Sequence, residues 1–362
     1  MVIIQRVSST IKTAVYDALT AINYEPAKEK IFIKPNIVNP FLPDEPYITN
    51  PLVVAAIIDY LKNRGYHDIV VGEGPVGFEV KEIFEVCGYR QMCEEKKVGL
   101  VDLEKTKRIK INDIELPAYA IEREYINVAK LKTHLQTTVT LGLKNQKGLL
   151  KMKTKRIFHR DLHNNIVRLA QAITPDLTII DALNGVEGNG PGRMGSEVKG
   201  LNLLLAGRNM LSVDMVGAAL MGFDWQEVRH LKKAHEQGLG DYPKEVIGEQ
   251  LAQVVRKFKQ PTNFQKFFNI YYWWTDTTCS GCSCLLGDMK VIALKNPYYL
   301  FRLFLNGFLR RLDLLTGHII NCPPNHGKVI CIGECTRKIA QKHGFIWIKG
   351  CPPKPIDILK RI

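Results

Sequence analysis

Short apolar runs alternate with longer amphipathic stretches through the first third of the chain. Val2–Val7 reads as a strand, Thr10–Ile22 as a helix, Lys30–Pro35 as a short buried strand, and Pro51–Arg64 as a helix closed by Gly65. Asp68–Gly72 is another apolar run, ending in the turn Gly72-Glu73-Gly74-Pro75, after which Val80–Val86 takes a helical period. Strands of this length between helices predict βαβ units and an α/β fold with a largely parallel sheet and flanking helices. Ligands of such a sheet collect where its strands end.

The middle third repeats the pattern. Tyr125–Val128 is a strand end, Asp161–Ile173 a helix, Leu177–Asp181 a buried strand ending in an acid, and Leu201–Ala206 a strand before the helix Ser212–Met221. The glycine-rich stretch Gly185–Gly192 predicts a loop beside the end of the preceding strand. From Glu249 to Trp274 the pattern turns helical and aromatic, which places a boundary near residue 270. The expected organisation is an α/β body over 1–270 and a small, cysteine-rich α/β domain over 271–362. Phe264, Phe267, Phe268, Tyr271, Tyr272, Trp273 and Trp274 predict a core between the two, and Tyr298–Leu315 an amphipathic helix over the second domain, with peripheral membrane contact as its other use.

With 362 residues and 46% hydrophobic content, the chain supports two domains and at least one full core. Its start lacks the basic flank and apolar run of a secretory signal, and no stretch approaches the ~20 uninterrupted apolar residues of a spanning helix. The nearest candidates, 264–274 and 298–309, are short or interrupted by Lys266, Arg302 and Asn306. A cytoplasmic protein without integral membrane association is expected. The formal charge of +14 favours anionic partners. It is unevenly spread: from Tyr125 to Arg160 there is no Asp or Glu, whereas Lys130, Lys132, Lys144, Lys147, Lys151, Lys153, Lys155, Arg156 and Arg160 all fall there.

Cys87 and Cys93 stand alone, and the other seven of nine cysteines follow position 278. Clustered cysteines in a chain without a secretory signal read as metal ligands before disulfides, with buried small hydrophobes as the plain alternative. Cys279-Ser280-Gly281-Cys282 holds two thiols on one side of a metal, and two later cysteines complete a four-sulfur set that suits zinc or an iron–sulfur cluster. Glycine beside Cys335 and Cys351, and Pro352-Pro353 after the latter, favour a 4Fe-4S cluster, because a backbone without a β-carbon approaches bridging sulfides more closely. These segments resemble the proximal-cluster site of nickel–iron hydrogenase small subunits and the matching subunit of respiratory complex I. That resemblance implies Cys279, Cys282, Cys335 and Cys351 as the ligands. Cys284, Cys322 and Cys331 are additional; Asn321-Cys322-Pro323-Pro324 nearly repeats the Gly-Cys-Pro-Pro element, which makes Cys322 an alternative ligand or part of a second site.

The runs Ile126–His134 and Val139–Leu150, with Lys34-Pro35-Asn36, Thr49-Asn50-Pro51, Asp161-Leu162-His163, Asp181, the Gly185–Gly195 stretch and Val213-Asp214, resemble the family called domain of unknown function 362 over residues ~30–240. Such proteins often carry iron–sulfur modules. Physically, Lys132 and His134 lie two apart and share a face in an extended segment, and Lys144-Asn145 adds a second cation and an amide. Lys34, Asn36 and Asn145 can hold a small anionic ligand, with Lys132, His134 and Lys144 as catalytic candidates for proton transfer and Asp181 and Asp214 as acids that balance charge or bind metal. Lys151–Arg156 reads as a solvated face, and His159 with His163 as polar surface. Gly72-Glu73-Gly74 lacks the spacing of a dinucleotide site, so nicotinamide binding is not supported.

These features lead to an iron–sulfur redox protein or oxidoreductase passing electrons to a small anion or to a redox partner protein held at the basic segment. The rivals are a non-redox isomerase or lyase with a structural cluster, and a factor that assembles or delivers a cluster or metallo-cofactor. Specific nucleic-acid binding comes last, since no recognition module is visible.

Overall fold

The apolar runs of the first third fold as β1 (Val2–Arg6), β2 (Ile31–Lys34) and β3 (Ile69–Glu73), followed by β4 (Gly99–Asp102). A separate hairpin of β5 (Arg108–Ile111) and β6 (Ile114–Pro117) precedes the longer strands β7 (Glu124–His134), β8 (Thr138–Thr140), β9 (Leu177–Gly188), β10 (Gly195–Val198), β11 (Leu203–Gly207) and β12 (Val246–Gly248). A computed structural model describes residues 1–74, 80–262, 265–267, 269–275, 277–319 and 327–362. In it the large sheet runs β12-β1-β11-β9-β7-β2-β3-β4, with β8 beside β7 and β10 beside β9. The run from β9 to β4 is parallel, and β11 lies antiparallel to both β9 and β1.

Alternation buries both faces of this sheet. Ile3, Ile179 and Leu204 enter one core with Ile33 and Val71, while their neighbours Val2, Ile4, Ile180, Leu203 and Leu205 enter the other. Helices Ile11–Ala21 and Pro51–Lys62 cover the first face; Leu162–Ala172 and Met210–Leu220 cover the second. The helix Pro51–Lys62 starts where Asn50 Oδ1 accepts from the Leu52 amide and Pro51 occupies the first turn, which needs no amide donor.

The order of the parallel strands creates a crevice. The chain moves outward from β2 to β3 and β4, returns to the other side of β2 as β7, and continues outward to β9. The carboxyl ends of β2 and β7 therefore flank a topological switch point, the place where open α/β sheets bind ligands.

A second, five-stranded sheet comprises β13 (Gln265–Phe267), β14 (Ile270–Trp273), β15 (Leu312–Leu315), β16 (Lys328–Ile332) and β17 (Ile346–Ile348), parallel except for β13. The molecule is thus mixed α/β throughout.

Three expectations change. Among its described residues, the stretch expected to be helical up to Trp274 has a single short helix, Leu251–Val254, before β13 and β14; the Tyr-Tyr-Trp run alternates buried and half-buried positions, which suits a strand. Tyr272 and Trp274 accordingly pack in the second sheet's own core rather than between domains; Phe264 and Phe268 lie outside the described residues. The helix expected over Tyr298–Leu315 runs over Pro297–Leu309, and Leu312–Leu315 is the buried strand β15. Finally, the first half of Gly185–Gly192 is not a loop: β9 continues to Gly188 by pairing with β10, Val186 opposite Glu197, before a left-handed Gly188 ends it.

Ile33 is fully buried between the helical layer and the end of β2. Truncation by Ile33→Ala is expected to cost about 2–5 kcal/mol, read as a lowered midpoint in chemical denaturation with the slope unchanged.

Candidate functional site

At the switch point the strand ends place charge where an apolar core would otherwise continue. Lys34 closes β2 and is fully buried; its Nζ donates to Glu73 Oε2 at 2.7 Å, to the Pro35 carbonyl at 3.0 Å and to Asn145 Oδ1 at 3.2 Å. Glu73 closes β3 and also accepts from the amides of Gly74 and Ile37. Asn145 Oδ1 accepts a further bond from Asn36 Nδ2 at 2.8 Å, and its own Nδ2 donates to Asn127 Oδ1 at 2.8 Å. Asn36 Oδ1 in turn accepts from Lys132 Nζ at 2.7 Å, and that ammonium also donates to the Tyr47 carbonyl at 2.7 Å. One continuous network therefore joins the ends of β2, β3 and β7 to the turn carrying Asn145. Gly148 is required against it: a β-carbon there would sit 2.0 Å from Glu73 Oε1 and 2.5 Å from Lys34 Nζ.

Above this network lies a cavity of about 70 Å³. Lys132, Lys144, Lys147, Lys155 and His159 face it together with Asn36, Asn145 and Glu73, and so do Cys279 and Cys351. Lys147 Nζ is 2.7 Å from His159 Nε2, and Lys155 Nζ donates to the Gly74 carbonyl. The Lys144 ammonium has no hydrogen-bond partner among the described residues. Burial pulls Lys132 and Lys147 down to about 7 and Lys155 to about 8; Lys144 falls well below the usual lysine range, first from burial and then from Lys147 and Lys132. An anion in the cavity would relieve all four penalties at once, because it opposes the loss of solvation that drives them.

The cysteines reach the cavity through two contacts between the sheets. Gln136, just past β7, donates from Nε2 to the carbonyls of Thr275 and Thr278, which fixes the segment leading into Cys279. Arg193, near the tip of the β9–β10 hairpin, pairs with Glu45 at 2.8 Å and with Asp288 at 3.3 Å on the helix Ser280–Lys295. Cys279 lies within hydrogen-bond reach of Cys282 and Cys351, whose bonds hold its thiol well below the ordinary value; Cys282, against that anion and buried, is raised. Cys351 and Cys335 add to the charge felt by Cys282. Gly333 and Gly350 take left-handed backbone, φ 87° and 139°, and a β-carbon on Gly333 would stand 3.6 Å from Cys282 Sγ. Among the described residues no three His, Cys, Asp or Glu side chains are arranged around a single ion. By donor chemistry, four cysteines of which two line the cavity are a set that a 4Fe-4S group would take.

The structure brings Lys34, Asn36, Lys132, Lys144 and Asn145 together at the cavity and Cys279, Cys282, Cys335 and Cys351 beside it. His134 is fully buried behind the cavity, its Nδ1 accepting from the Gln136 amide. Asp181 serves Lys130 Nζ at 3.0 Å and the amides of Asn50 and Leu183, while Asp214 accepts from the amides of Gly142 and Leu143. Both acids thus hold backbone that carries the site rather than line it. Cys331 packs with Leu315, Val329 and Ile339 on the opposite face of β16 from Ile330 and Ile332, and Cys284 turns toward Gly192. Cys322 lies outside the described residues.

Two expectations are corrected. His159 and His163 are buried rather than surface groups, and Lys155 in the expected solvated run is buried too, because Met152, Lys155 and His159 turn toward the cavity and the helix Leu162–Ala172 packs on the large sheet. Sequence reasoning passed over Glu73, Lys147, Lys155 and His159. Glu73 alone carried a signal, as the single acid in a glycine turn at a strand end. Glu73→Gln leaves the Lys34 ammonium buried without its counter-charge, and a loss of roughly 3–5 kcal/mol in unfolding free energy is expected, measured by urea denaturation.

The chain is 28% identical over 214 residues to Thylakoid-associated protein sll1697 of Synechocystis sp. (strain ATCC 27184 / PCC 6803 / Kazusa). That match covers 56% of this chain and 66% of the relative, just under two thirds of its length. No solved structure matches. The model of the family described as Domain of unknown function (DUF362) matches residues 31–219, which hold the entire β2–β3–β7 network and all four cavity lysines. The match takes in more than half of the sequence, and the chain belongs to that family.

Proposed function

We propose that this protein is an iron–sulfur redox protein or enzyme in which Cys279, Cys282, Cys335 and Cys351 hold a 4Fe-4S cluster and the lysine-lined cavity beside it holds a small anion. The observation that carries the reading is the shared lining: Cys279 and Cys351 face the same cavity as Lys132, Lys144, Lys147 and Lys155. A bound cluster would supply one-electron chemistry at short range, with a redox partner protein as donor or acceptor. The chain's own residues bind and orient: charged lysines attract the anion, Asn36 and Asn145 fix the cations, and the packed helix Met152–Phe158 limits water. Likeness of the cysteine segments to the hydrogenase proximal site supports the same assignment. Among the described residues no helix is long and apolar enough to cross a membrane. A cytoplasmic location belongs to the proposal, with the relative's thylakoid association pointing to the membrane face of that compartment.

Proton transfer without redox change is the second reading, and one observation favours it. Lys132, drawn down to about 7 by burial, can exist in either protonation state at neutral pH. Electron paramagnetic resonance separates the two, since a cluster that never accepts an electron under reduction supports this reading alone.

Anaerobic reconstitution is expected to give brown protein holding iron and acid-labile sulfide. Serine at Cys279, Cys282, Cys335 or Cys351 should lower both sharply, whereas Cys331→Ser should not. Anion affinity should follow the lysines. Lys132 and Lys147 are cationic below about 7 and neutral above it, so sulfate binding, measured by calorimetry, is expected to weaken as pH rises through neutrality, by about tenfold per pH unit for each lysine that must be charged. Lys132→Gln should weaken it by roughly 10-fold to 100-fold at pH 6, the worth of one charge-assisted hydrogen bond.

A further inference from the structure

The helix Pro297–Leu309 stands apart from the cavity and presents two unlike flanks. Asn296 Oδ1 caps it by accepting from the Tyr298 amide, and Pro297 opens its first turn. On its inner flank Tyr299 and Leu303 pack with Leu285 and Met289 of the preceding helix, and Gly307 is buried. The opposite flank is apolar and in water: Phe301, Phe304 and Phe308, at positions i, i+3 and i+7, are 61%, 53% and 66% exposed. Phe304 and Phe308 stack on each other with centroids 5.7 Å apart, forming a ridge continued by Leu300 and Leu309. A contiguous exposed ridge of this kind marks an interaction surface.

The surroundings of the ridge identify its partner. Between Asp288 and Asp313 the chain has five cations, Lys290, Lys295, Arg302, Arg310 and Arg311, and no acid. Arg302 donates to the carbonyl of Lys360, and Arg302 and Arg310 both lie close enough to Lys328 to repel it. Arg311 is paired with Asp313 at 3.0 Å, and the ridge is left flanked by Arg302 and Arg310 on a helix that bears no acid, which complements a surface that is apolar in depth and negative at its face. A second copy fits poorly, because this helix carries no acid to meet Arg302 or Arg310 of its counterpart. Thirteen residues extend about 20 Å at ~1.5 Å each, short of the ~30 Å hydrocarbon core, so the helix lies flat.

We propose that this helix docks the protein on an anionic lipid bilayer, with Phe301, Phe304 and Phe308 among the acyl chains and Arg302, Arg310 and Lys328 at the headgroups. It is independent of the reading of the cavity, since neither the cysteines nor the buried lysines take part.

Vesicle co-sedimentation of the full chain tests it. Binding to phosphatidylcholine vesicles containing phosphatidylglycerol should be at least about tenfold tighter than to phosphatidylcholine alone, and should fall as salt shortens the screening length from ~10 Å at 0.1 M to ~3 Å at 1 M. The double variant Phe301→Ser with Phe308→Ser should melt as the parent does, both side chains being more than 60% exposed, yet lose vesicle binding. Phe304→Trp should show a blue-shifted emission on anionic vesicles. The proposal is overturned by absent binding, by equal binding to both vesicle types, or by a concentration-dependent dimer that the double serine variant abolishes.

Discussion

Burial of lysine ammonium groups at the ends of parallel strands is the constraint on which the rest of this structure depends. A parallel sheet covered on both faces offers no water at its centre, and an ammonium there is tolerated only with partners arranged around it. Lys34 meets that demand through Glu73 and Asn145, and Lys132 through Asn36 and the Tyr47 carbonyl. Asn36 is held by Asn145, and Asn145 by Asn127, so the network is tied beneath while Asn36 and Asn145 face the cavity. Cation after cation then accumulates above it, on segments that pack over the crevice from elsewhere in the chain.

This arrangement explains why the two sheets belong together. The body supplies positive potential with little counter-charge of its own in the cavity, since Glu73 is engaged by Lys34. The second unit supplies sulfurs that gain negative charge when deprotonated, and burial pushes a further thiol, Cys284, up to about 12. Cations facing a thiolate group lower the cost of both. Gln136, through the Thr275 carbonyl, and Arg193, through Asp288, keep the two in register by direct bonds across the junction.

Much of this was legible in the sequence, for physical reasons that can be named. Lys34, Asn36, Lys132, Lys144 and Asn145 stood out as polar groups interrupting apolar runs, which is the signature of a strand end entering a site. Glu73 was visible only as a turn acid, because its pairing with Lys34 spans 39 residues and depends on the order of β2 and β3. Lys155 and His159 looked like surface groups because helical amphipathicity does not tell which flank meets a cavity lid. Asp181 and Asp214 attracted attention as buried acids; their carboxylates are occupied by backbone amides, a use that side-chain pattern does not reveal. The glycine stretch after Asp181 misled for another reason: glycine permits a loop without requiring one, and pairing with β10 carried the strand on to Gly188.

On the proposed reading the lysine cavity and the sulfur site act as one unit. Reduced, cluster-loaded protein examined by electron paramagnetic resonance with and without saturating sulfate tests it most directly. A spectrum that shifts on sulfate addition in the parent chain, and no longer shifts in a Lys144→Gln variant that still holds its iron, is the result expected. A cluster spectrum indifferent to an anion that calorimetry shows to be bound would contradict it.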